Sequence, residues 1–170
     1  HHPMMLRSKL TFDQIVGFNI EYGDDQSTVQ ASPTSWMPAT ALCSNQVMRS
    51  GRHFAVFMPA GIARIGVMRP VRQIDVSATG LSYFDPRVKF FWEHLLSKRT
   101  DRWDDSNVHY CGVTIDGNFD WSDWTSNENR SRYIAGLQRE VPFGLLLDLD
   151  EGTLSLYQDG KRLETLKEGL

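Results

Sequence analysis

The residues with the clearest chemical potential are three acids near the C-terminus, Asp148, Asp150 and Glu151. Paired carboxylates hydrolyse glycosides when both enter one cleft at a defined separation. Asp148 and Asp150 would share a strand face, but Asp150 and Glu151 fall at a turn, where acids commonly bond the local backbone. A calcium loop beginning at Asp148 fails on spacing. Gly152 takes the fifth position, which needs an oxygen ligand, and Thr153 the sixth, which needs glycine. The five histidines, His1, His2, His53, His94 and His109, show no metal-ligand spacing with one another or with Cys43 and Cys111. Neither cysteine has a catalytic partner at sequence level. No nucleophile elbow, phosphate loop or dinucleotide fingerprint occurs. The expectation is a chain that is not an enzyme, with no catalytic residue, no metal and no cofactor.

Composition narrows what remains. A chain of 170 residues, 41% of them apolar, is expected to form one domain over 1–170 with a core of its own. A formal net charge of −3, with no basic tail, argues against a nucleic-acid partner. The longest uncharged apolar-rich stretches lie near residues 53–63, too short for the roughly 20 residues of a membrane-spanning helix. Two cysteines make no disulfide framework and predict reduced, buried thiols in an intracellular protein. The start, His1-His2-Pro3-Met4-Met5, carries no signal-peptide pattern.

The elements that would position any site read mostly as strands. Val16, Phe18, Ile20 and Tyr22 alternate with Gly17, Asn19 and Glu21, and Gly23-Asp24-Asp25 supplies a turn. Two more strands, His53–Phe57 and Ala63–Met68, flank Pro59-Ala60-Gly61. Residues 85–99 depart from this pattern. Val88, Phe91, Trp92, Leu95 and Leu96 fall on one helical face, with Asp85 as N-cap and Pro86 in the first turn. That face predicts packing against a sheet, the alternative being a partner-docking helix. Strands resume at Val108–Ile115 and Asn118–Trp124, around an expected two-residue turn at Asp116-Gly117. Residues 141–166 read as a three-stranded meander with turns at Glu151-Gly152 and Asp159-Gly160.

Three motifs in order now resemble one family. Residues 143–163, running from Phe143-Gly144-Leu145 through Leu147-Asp148-Leu149-Asp150 and Thr153-Leu154-Ser155-Leu156-Tyr157 to Asp159-Gly160, are similar to the C-terminal signature of SPRY domains. Ser50-Gly51-Arg52-His53-Phe54 and Ile65-Gly66-Val67 resemble two earlier strands of that family. The resemblance implies an antiparallel β-sandwich, a SPRY or concanavalin-like jelly roll, here with a short helical insertion near 85–99. It also implies a non-catalytic, intracellular eukaryotic adaptor that binds a protein or short peptide through loops at one end of the sandwich. The stretch 80–107 is longer than the family leads one to expect. The chain ends at Gly169-Leu170, where the family continues into closing strands, so truncation of a larger protein is expected. The alternative function is a structural subunit of a multi-subunit complex, docked through the 80–107 insertion.

Aromatic residues then become the candidate contacts, because Trp and Tyr most often anchor interfaces. Trp121, Trp124, Phe119, Trp103 and Tyr83 are the predicted partner-binding residues. A two-residue turn would set Trp121 opposite Gly112 and Phe119 opposite Thr114, with Tyr110 on the same face. Cys111, Val113, Ile115 and Trp124 would then occupy the other face. Alternation leaves open which face is the core. Acids between the tryptophans and the polar run 125–131 place this end of the hairpin towards solvent, with Trp121 or Trp124 partly exposed.

Overall fold

The structure is a computed structural model and describes residues 10–32, 34, 37–75, 83–99, 108–125 and 130–170. It is an all-β chain with one short helical insertion, and among the described residues twelve strands form four antiparallel sheets. The described residues divide into two compact units, one of residues 1–47 and 74–85, the other of residues 48–73 and 86–170.

The first unit holds two small sheets. β1 (Gln14–Val16) pairs with β4 (Thr40–Leu42), and β2 (Ile20–Tyr22) with β3 (Val29–Ala31). The single alternating strand expected over residues 16–22 is therefore two strands. Gly17, at φ 124°, turns the backbone between them, and Phe18 is left 79% exposed. Asp13 fixes the end of β4 by accepting from the Ser44 amide at 2.5 Å and its hydroxyl at 2.7 Å.

The second unit is a β-sandwich. β5 (Arg52–Phe57), β10 (Phe143–Asp148), β11 (Thr153–Gln158) and β12 (Lys161–Lys167) form one sheet in the order β12-β11-β10-β5. β6 (Arg64–Met68), β7 (Tyr110–Thr114), β8 (Asn118–Ser122) and β9 (Arg130–Tyr133) form the other, in sequence order. Cys111, Val113 and Phe119 from the second sheet share one buried cluster with Phe143, Leu145, Leu147, Leu154, Leu156 and Leu166 from the first. Pro59-Ala60-Gly61 thus carries the chain from one sheet to the other. The meander forms as its sequence suggests: Gln158 faces Lys161 across Asp159 and Gly160, both at positive φ (53° and 72°), the geometry that matches strand twist.

Two expectations need correction. The helix is shorter than 85–99. Val88 is extended, a 3₁₀ turn covers Lys89–Phe91, and α1 spans only Trp92–Lys98, without a side-chain cap. Asp85 is buried and does not cap it. The Pro86 carbonyl instead accepts from the Trp92 indole N–H at 3.1 Å, a bond that takes the place of a helical amide. The apolar face is buried as expected through Phe91, Trp92 and Leu95, the last fully, while Phe90 is 60% exposed.

The second correction is the β7–β8 register. The ladder pairs Val113 with Phe119 and Cys111 with Trp121, one residue away from the expected pairing. The turn holds three residues, Ile115, Asp116 and Gly117. Gly117 adopts φ 87° and donates its amide to the Thr114 carbonyl at 3.0 Å, while the Thr114 hydroxyl accepts from the Asn118 amide at 3.1 Å. Because side chains alternate every residue, this single step moves Phe119 and Trp121 onto the face of Cys111 and Val113, which is the core face.

Candidate functional site

The five candidate aromatics meet different fates. Phe119 is fully buried and stacks on Trp121 at 5.5 Å between centroids, with the Arg132 guanidinium 5.7 Å from its ring centroid. Trp124 is 1% exposed, at φ 59°, with its amide donating to the Ser122 hydroxyl at 2.9 Å. Its ring meets His109 edge-on at 5.1 Å, and the buried indole N–H has no acceptor among the described residues. These two side chains therefore belong to the interior and offer no contact surface. Trp121 is half-buried, with the Lys167 ammonium 5.6 Å from its ring centroid. Tyr83 is half-buried in the first compact unit. Trp103 lies outside the described residues.

Trp121 borders a small depression on the second unit, lined also by Arg87, Trp92, Tyr110, Asp120, Ser122 and Arg130, with a cavity volume of about 20 Å³. Three structural devices build it. Trp92 and Tyr110, at 6% and 7% exposure, present fixed aromatic walls. Asp120 receives Arg64 at 2.8 Å on one carboxylate oxygen and has Arg87 at 3.7 Å from the other, which sets Arg87 at the rim. Arg130, exposed on β9 opposite Trp121, makes no ion pair with any described residue. Two guanidiniums, those of Arg64 and Arg87, thus approach the Asp120 carboxylate. Sequence reasoning found Trp121 but set Tyr110 on its face, which the observed register reverses, and it missed Arg64, Arg87, Arg130 and Asp120. They converge only through the β7–β8–β9 ladder, and no local spacing announces it.

The acids and thiols with catalytic potential are occupied structurally. Asp148 accepts from the amides of Asp150 and Glu151 at 3.1 and 3.0 Å and faces Arg52 at 3.4 Å. Asp150 accepts from the Gly51 amide at 3.1 Å. Both thiols are free of disulfides. Burial and the Asp13 carboxylate push the Cys43 thiol up to about 11. Burial, opposed in part by Lys167, pushes Cys111 up to about 12. Both stay protonated at neutral pH, the unreactive form. Among the described residues no three His, Cys, Asp or Glu side chains gather as a metal site, and no helix is long and apolar enough to cross a membrane. No protein-family model, curated protein or solved structure matches the chain.

Proposed function

We propose that the chain is a SPRY-type sandwich acting as a non-catalytic interaction module that grips a protein or peptide partner at Trp121. One observation carries this reading: Trp121 is a half-buried tryptophan with charged neighbours, Lys167 over its ring and Arg130 opposite it on β9. Metabolite and cofactor pockets run to roughly 300–1,000 Å³. The nearby depression of about 20 Å³ holds little more than one water molecule, so the aromatic ring itself is the contact, and an aromatic anchor within a polar rim is the usual anatomy of a binding hot spot. The alternative of docking through residues 80–107 finds the apolar stripe of α1 already buried by Phe91, Trp92 and Leu95.

The test compares the intact chain with Trp121→Ala against a partner captured by the chain, identified and then purified. Calorimetric titration should show the Kd weakened at least tenfold, about 1.4 kcal/mol or more, while the variant retains its near-UV circular dichroism. Unchanged affinity in a folded variant would remove Trp121 from the interface.

A further inference from the structure

We infer that the open edge of β5 pairs with the same edge of a second copy of this chain, so that two four-stranded sheets become one continuous sheet. The first reason is an unused row of backbone groups. β5 ends its sheet, and among the described residues the backbone of 52–57 bonds to no strand but β10. The second reason is the side-chain pattern along that edge. Phe54, Val56 and Met58, at 53%, 60% and 59% exposure, fall at alternate positions on the outer face. The one arginine of the strand, Arg52, is matched by Asp148 at 3.4 Å, and no Lys, Arg, Asp or Glu follows it before Pro59. β12, at the opposite end of the same sheet, instead carries Lys161, Arg162, Glu164 and Lys167. Charges of that kind keep an edge strand from pairing with another chain. β5 is left without them.

Self-complementarity names the occupant. A two-fold axis through Ala55 sets Phe54 opposite Val56, His53 opposite Phe57 and Arg52 opposite Met58, each pair occurring twice. Facing residues are then always an even number of positions apart, so both direct their amides and carbonyls to the shared edge. Their outward side chains likewise join on one face. No like charges meet, and aromatic with β-branched pairs, such as Phe54 with Val56, stabilise a ladder. An axis one residue further on would set Pro59, which has no amide, opposite His53. Phe54 is also held ready for the partner. Its ring lies over Gly144, where a Cβ would stand 2.4 Å from it, and meets Tyr157 edge-on at 5.7 Å. A side chain fixed before association loses little freedom on binding.

The experiment follows the full chain by sedimentation velocity from about 1 to about 300 µM, the range in which a small interface becomes populated. Monomer should give way to dimer, and hydrogen exchange should slow with concentration at the β5 amides that point away from β10. Val56→Lys should weaken the dimer by about tenfold or more at an unchanged melting temperature, since Val56 is exposed. Met58 reads the register. Met58→Lys opposes Arg52 and should weaken the dimer by about threefold or more, whereas Met58→Glu should tighten it. A chain that stays monomeric overturns the inference and leaves the edge to a strand of another protein. If the outward β5 amides are already protected at low concentration, the chain covers its own edge and the inference fails. Open-ended assemblies overturn the closed two-fold pairing, and a dimer that survives Val56→Lys lies elsewhere. Equal effects of Met58→Lys and Met58→Glu overturn the register.

Discussion

At the scale of single residues, the tightest constraint is a pair of glycines facing each other across β6 and β7. Gly66 sits opposite Gly112, and a Cβ on Gly66 would stand 1.8 Å from the Cys111 carbonyl oxygen. No rotamer relieves a clash with backbone, so one sheet strand would have to leave the other. Gly66→Ala should therefore cost about 3 kcal/mol or more, roughly 10 °C in Tm, at the upper end of overpacking effects. A melting temperature within a degree or two of the parent would show that the strands separate here at little cost. The sequence displays this glycine plainly, inside Ile65-Gly66-Val67, but the reason for it is invisible until the partner strand is known. The same holds for Trp121 and Trp124. Both read as candidate anchors, and only the turn geometry and a left-handed backbone at Trp124 decide that one faces inward completely.

At the scale of elements, legibility depends on how local the deciding contacts are. The meander from β10 to β12 follows from alternation and from Asp159-Gly160, all within about two dozen residues. The β7–β8 hairpin shows the limit of such reading. Asp116-Gly117 marks the turn correctly, yet the Thr114 hydroxyl and carbonyl draw in one more residue, and every side-chain assignment on β8 reverses. The helix shows a second limit. Its apolar period is real, but the Trp92 indole bond to Pro86 and the extended Val88 delay its start. Leu95, fully buried, remains the test of its role. Leu95→Ala should destabilise the chain by about 2–5 kcal/mol through the cavity it leaves, measured by denaturant unfolding. A loss below about 1 kcal/mol would mean that α1 is peripheral to stability.

At the scale of the whole molecule, the all-β class and the sandwich were legible because strand alternation and turn residues recur along most of the chain. The arginine-rimmed depression was not, because its lining joins segments up to about 40 residues apart through ladder register alone. The strand order has a further consequence, in time rather than in space. β5 is hydrogen-bonded to β10 from Phe57↔Phe143 to Arg52↔Asp148, partners separated by at least about 85 residues of chain. Closing a loop of that length costs about 4 kcal/mol of chain entropy on the logarithmic rule, whereas β10, β11 and β12 meet through short turns. The meander should therefore form early, and β5 should join only after the intervening sheet has shortened the loop. Pulsed hydrogen-exchange labelling during refolding should find β11 amides protected before the β5 amides that face β10. Simultaneous protection would mean that both sheets condense in a single step. An element that arrives last by this route is also the first to leave, so transient loss of β5 would bare the edge of β10, and with it the run Phe143-Gly144-Leu145-Leu146-Leu147, to any other chain in the same partly open state.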